Sequence, residues 1–195
     1  IYLSKKKVLG NISRVSKSLE LTKKKKLTKN SFYVNRKVKI AMKDLFGKAL
    51  VDYQSGNYSE DLITSTNISD DDELPIPYLF RTYKDMPKIE QKALLIAKGN
   101  VLDVGCGSGS HSLYLQKKGL QVKGIDISKG AIEVAKKRGL NHVEQKHILD
   151  ETGTFDTILL LMNGTGIFQE ISQVANYLNH LKSLLKPNGQ ILIDS

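Results

Sequence analysis

The 195-residue chain has no tryptophan, one cysteine, three methionines and four prolines. A single cysteine, Cys106, leaves no partner for an intramolecular disulfide and suits a reducing, cytoplasmic setting. The four histidines, His111, His142, His147 and His180, show no metal-ligand spacing, so no metal site is expected. His111 lies beside the glycine loop described below, where a base could act, but no such role is assigned to it. Long apolar runs are missing too. Ile158-Leu159-Leu160-Leu161-Met162 falls well short of the ~18–20 residues of a membrane span, and the basic start is not followed by a signal-peptide apolar stretch.

Charge is plentiful but unevenly placed. The net charge is +10. Residues 1–41 hold 13 Lys/Arg against one acid, Glu20, a balance of +12, while 42–195 hold 17 against 19, a balance of −2. Basicity therefore belongs to an appendage, and the near-neutral remainder argues against nucleic-acid binding by the core. Residues 1–41, with Lys5-Lys6-Lys7 and Lys23-Lys24-Lys25-Lys26, read as a disordered or non-native basic segment. A basic arm that contacts nucleic acid or an anionic membrane is the alternative for this segment.

From residue 42 onward the pattern is regular. Leu45, Phe46, Ala49, Leu50 and Tyr53 recur at helical spacing over 42–54. Asp70-Asp71-Asp72-Glu73 and Leu74-Pro75-Ile76-Pro77 read as an extended, solvated connection. A helix over 87–98 completes a helical N-terminal cover segment, 42–98. Strands are expected at 101–105, 121–126, 142–146, 157–162 and 190–194, alternating with helices at 111–118, 128–138 and 171–185. Pro187-Asn188-Gly189 should stop the last helix. Such alternation specifies a doubly wound, mostly parallel α/β sheet over 99–195.

The most informative stretch is Val101-Leu102-Asp103-Val104-Gly105-Cys106-Gly107-Ser108-Gly109-Ser110. It is a strand, a glycine turn and a helix start, which lets bare backbone approach a ligand and aims helix amides at it. Asp126 follows Gly105 by 21 residues, close to the ~20-residue offset of a ribose-binding acid. The site suits an adenosine-containing cofactor. An NAD(P)-dependent oxidoreductase is one reading, but the spacing is G-x-G-x-G rather than G-x-G-x-x-G. Asp103 would also repel a pyrophosphate, whereas it suits a cationic amino group.

These residues resemble motif I of the class I S-adenosylmethionine (SAM) dependent methyltransferases, and Gly124-Ile125-Asp126-Ile127-Ser128 resembles their second motif. The resemblance implies a Rossmann-like methyltransferase fold, SAM as cofactor and methyl transfer as the reaction. It assigns Gly105, Gly107 and Gly109 to the methionine and ribose moieties, Asp103 to the α-amino group, and Asp126 to the ribose hydroxyls. Ile127 would lie against the adenine, and Asp150 and Leu149 near its amine. Asn163 would sit where cofactor and acceptor meet. No catalytic residue is assigned, since a general base depends on the acceptor. In that family the segment ahead of motif I, here Tyr78-Leu79-Phe80-Arg81, often helps cover the cofactor, which would bring Tyr78 or Arg81 to the methionine carboxylate; the favoured reading is instead a packed aromatic with Arg81 on the surface. Leu161-Met162-Asn163-Gly164 lacks the Asn/Asp-Pro-Pro-aromatic motif of nucleic-acid amino-methyltransferases, so a small-molecule acceptor is expected. The family usually adds two strands after the fifth, so the sequence is expected to be truncated. A non-catalytic nucleic-acid-binding protein led by residues 1–41 is the remaining alternative.

Overall fold

Five parallel strands form the central sheet. They are β4 (Asn100–Val104), β5 (Gln121–Asp126), β6 (His142–Gln145), β7 (Phe155–Leu160) and β8 (Leu185–Ile193), in the spatial order β6-β5-β4-β7-β8. The computed structural model describes the backbone of residues 2–5 and residues 44–65 and 70–194, all within one unit. Preceding the sheet are β1 (Tyr2–Lys5), α1 (Leu45–Gln54), β2 (Leu62–Ser65), β3 (Asp72–Leu74) and α2 (Lys88–Ile96). Interleaved with it are α3 (Ser110–Lys117), α4 (Lys129–Lys137) and α5 (Val174–Ser183). Among the described residues, no helix is long and apolar enough to cross a membrane.

The sheet is buried on both faces, which is why β7 reads as an unbroken apolar run: Ile158, Leu159 and Leu160 are all inaccessible. On one face Leu102, Ile125, Ile158 and Leu160 pack against Tyr177, Leu181 and Leu184 of the α5 region. On the other, Val101, Val122 and Leu159 meet Leu94 of α2 and Leu115 of α3. A third cluster joins Ala49 and Leu50 of α1 to Ala131 and Val134 of α4.

Three features depart from the sequence expectations. The acidic connection is not merely solvated: Asp72–Leu74 pairs with β2, and β2 with β1, as a small antiparallel sheet. Tyr2–Lys5 of the basic segment thus forms a strand, while residue 1 and residues 6–41 lie outside the described residues. The final helix is shorter than 171–185. It begins at Val174 after a 3-10 turn at Ile171–Gln173, and Ile171 is 94% exposed; the buried stripe runs through Tyr177, Leu181 and Leu184. Pro187-Asn188-Gly189 does not stop that helix, because it lies inside β8. There it makes an irregular bulge, with Leu185 opposite Phe155 but Gln190 opposite Thr157.

Candidate functional site

The chain order reverses at β4: β5 and β6 lie to one side of it, β7 and β8 to the other. In open α/β sheets ligands bind outside the carboxyl ends of the strands at such a switch point. Here the carboxyl end of β4 runs into the glycine loop. The amides of Gly105 and Cys106 both donate to the Ile125 carbonyl of β5, at 2.8 and 3.1 Å. Gly105, Gly107 and Gly109 take φ of 72, 53 and 84°, a left-handed path that a side chain would resist. The loop's outer side is fastened to the cover segment. Ser108 and Ser110 hydroxyls donate to the Leu79 carbonyl, and Arg138 Nη1 donates to the Ser108 carbonyl at 2.8 Å.

Asp126 ends β5 with its carboxylate fixed between two backbone amides. Oδ2 accepts from Gly107 N and Oδ1 from Ser128 N, each at 2.9 Å. It is 8% exposed. Burial pushes its pKa up, the two amides pull it down, and the carboxylates of Asp44 and Asp103 add to the rise. Ser128 passes the contact onward, its hydroxyl donating to Asp44 at 2.8 Å. Asp44 also accepts from Gly47 N, capping α1, and from Gly130 N in the first turn of α4. The cover helix is thereby tied to the acid in the site.

A cleft of about 430 Å³ opens over these strand ends, lined in part by Gly105, Asp126, Ile127, Ile148, Met162 and Asn163. Its β7 wall is unusual: Met162 and Asn163 both have positive φ, 64 and 62°. Asp194, at the end of β8, holds this bend by accepting from Met162 N at 2.9 Å and Gly164 N at 3.1 Å. Consecutive left-handed residues other than glycine store strain of roughly 1–3 kcal/mol each, a cost usually borne at functional sites. A larger cleft, of about 810 Å³, lies at the opposite ends of the strands around Asn100, Gln121 and His142. It contains none of the glycine loop or its helix amides, so it offers nothing comparable to a cofactor.

The residues singled out in sequence fall into three groups. Gly105, Asp126, Ile127 and Asn163 meet in the cleft. Gly107, Gly109 and Asp103 stand behind it. By strand alternation Asp103 shares a face of the sheet with Asp126, but it is 2% exposed and accepts from the Ser112 hydroxyl at 2.6 Å. Burial drives its pKa up, with His111 and Ser112 opposing the rise. Leu149 packs into the core and Asp150 faces solvent. Neither lines the cleft, where Lys146, His147 and Ile148 appear instead.

Arg81 and Tyr78 exchange their expected places. Arg81 is 8% exposed and Tyr78 38%. The guanidinium ion-pairs with Glu90, which also contacts His111 Nε2 at 2.7 Å, and it donates to the Tyr78 carbonyl and to Met162 Sδ. Glu90 gave no signal beyond an acid in the first turn of a helix. Asp194 did give one, as an acid ending an apolar strand in the manner of Asp126. Cys106 is buried, and burial pushes its thiol pKa up, away from nucleophilic use. Among the described residues, no group of three His, Cys, Asp or Glu is placed to hold a metal ion.

Comparison with known proteins follows the same geography. Residues 78–195 match a family model described as a methyltransferase domain. A crystal structure of a SAM-dependent methyltransferase from Bacteroides fragilis in complex with S-adenosyl-L-homocysteine is similar at 42% identity and a TM-score of 0.73. That match covers 76% of this chain and 63% of the other. The ubiquinone biosynthesis O-methyltransferase of Pasteurella multocida is 32% identical over 128 residues, 55% of this chain and 50% of the relative. That of Coxiella burnetii is 30% identical over 119 residues, 55% and 47% respectively. The chain spans about half the length of these curated relatives. With the glycine loop, the acid ending β5 and the sheet order all in agreement, this chain belongs to the class I SAM-dependent methyltransferase family.

Proposed function

We propose that the chain binds SAM in the cleft above β4, β5 and β7 and transfers its methyl group to a small-molecule acceptor. One observation carries this reading. The Asp126 carboxylate is held rigid at the cleft wall with only one amide on each oxygen. Each oxygen keeps a lone-pair direction for a vicinal hydroxyl of a ribose. A cleft of about 430 Å³ lies within the range of small-ligand sites, ~300–1,000 Å³. The relatives named for ubiquinone biosynthesis act in small-molecule synthesis, which supports the same class of acceptor here.

Bound SAM would supply an electrophilic methyl group on a sulfonium. The chain's own work is to position it and exclude water. Gly105 lets the loop approach the cofactor without a side chain between. Ile127, 67% exposed, offers an apolar surface to the adenine, with Ile148 on the neighbouring wall. Asn163 and Met162 stand where the acceptor would meet the donor, their backbone fixed by Asp194. Asp103, walled off from the cleft, supports the site by holding Ser112 and the first turn of α3 in place.

Calorimetric titration of the full chain with S-adenosylhomocysteine tests the reading. Saturable one-site binding is expected, weakened at least tenfold in Asp126→Ala, since hydrogen bonds to a charged group contribute about 1.5–3 kcal/mol. Equal affinity in the variant, at an unchanged unfolding midpoint, would refute the role given to Asp126.

A further inference from the structure

A third concavity, of about 720 Å³, lies on the outer side of the glycine loop, between the 3-10 turn at Tyr83–Asp85 and helices α3 and α4. Its lining includes Arg81, Lys84, Lys117 and Arg138 and no carboxylate. Arg81 is neutralised by Glu90. The other three are not: among the described residues none of Lys84, Lys117 and Arg138 forms an ion pair. Asp85, next to Lys84 in the chain, has its Oδ2 engaged by the Thr82 hydroxyl at 2.6 Å.

Arg138 is the informative member. Half-buried, it has only neutral acceptors: the Ser108 carbonyl and hydroxyl at 2.8 and 2.6 Å, the Ser110 hydroxyl at 3.1 Å, and the Phe80 carbonyl at 3.4 Å. Desolvation lowers its pKa, with no carboxylate to offset it. A partly buried guanidinium is ordinarily matched by an anion, because a lone desolvated charge is costly. Lys84 from the 3-10 turn and Lys117 from α3 add further donors around the same concave space, where the Thr82 and Ser110 hydroxyls are already spent on Asp85 and the Leu79 carbonyl.

We propose that this concavity is a second ligand site, separate from the cofactor cleft, that takes a small molecule bearing phosphate groups. Three unmatched cations call for an anion of more than one negative charge. The mixture of point-charge lysines and a planar guanidinium suits phosphate oxygens. The volume suits a ligand the size of a nucleoside diphosphate or sugar phosphate rather than a polymer.

Titration of the full chain with sodium tripolyphosphate at constant ionic strength tests this, alongside the double variant Lys84→Ala/Lys117→Ala. Saturable binding is expected, at least tenfold weaker in the double variant, with S-adenosylhomocysteine affinity unchanged. Absence of saturable binding would overturn the proposal. So would undiminished binding by the double variant, which would place the charge elsewhere, for instance in the basic residues 1–41. Since the two ligands are titrated separately, failure here and failure of the SAM reading are distinguishable.

Discussion

Asp126 and Glu151 are both buried carboxylates, yet their surroundings push them in opposite directions. For Asp126 burial dominates and the pKa rises. A ribose hydroxyl donates best to the ionised form, so S-adenosylhomocysteine affinity should fall on acidification at a pH above the ordinary aspartate value of ~3.9. Titrations across pH 4–7 would show this, and a flat profile would contradict it. For Glu151 burial also opposes ionisation, but Lys123 at 2.7 Å and the amides of Thr152 and Gly153 outweigh it, holding the pKa at about 2. A depressed carboxylate stabilises the fold above its unfolded pKa of ~4.3, and that contribution is lost as pH falls towards the folded value. Glu151→Gln should therefore lower stability at pH 7 by about 1–3 kcal/mol and flatten the pH dependence of unfolding between ~4.3 and ~2. Gly105→Ala tests a different term. Its Cβ would meet only Ile167 Cδ1, at 3.5 Å, so the cost comes from φ of 72°. A loss of about 1–2 kcal/mol is expected in denaturant unfolding.

Where Gly130 of α4 meets Gly47 of α1, the two helices touch backbone to backbone with no side chain between. A Cβ on Gly130 would lie 2.5 Å from the Gly47 carbonyl carbon and oxygen. Gly130→Ala should force the helices apart, costing about 1–3 kcal/mol in stability. Because Asp44 and Ser128 link this crossing to Asp126, the same variant should weaken S-adenosylhomocysteine binding. Undiminished affinity would show that α1 is only a cover. At this scale the sequence was partly legible. Strand β7 could be read from its apolar run and α4 from Ser128 and the Lys136-Lys137 end, since local chemistry decides those. Local chemistry does not decide α5, where Tyr177 rather than Ile171 fills the space beside Phe168. Nor does it reveal that Pro187-Asn188-Gly189 sits in a strand, because the pairing of β8 with β7 is a long-range contact.

Across the whole molecule, strand order brings together residues far apart in the chain. That Gly105, Asp126 and Asn163 meet in one cleft was foreseeable because each ends an apolar run, and parallel strands put all such ends on one side. Arg81 could not be placed that way. Its burial depends on Glu90 and His111 arriving from two helices, a coincidence with no periodic trace. The adenine end was read as Leu149 and Asp150, but the 3-10 turn at Ile148–Asp150 carries these away from the cleft wall. A crystal structure of the full chain with S-adenosylhomocysteine is the most direct test of the account. It should place both ribose hydroxyls within hydrogen-bonding distance of the Asp126 carboxylate and the adenine beside Ile127. A ligand bound instead at the opposite strand ends, around Asn100, Gln121 and His142, would contradict it.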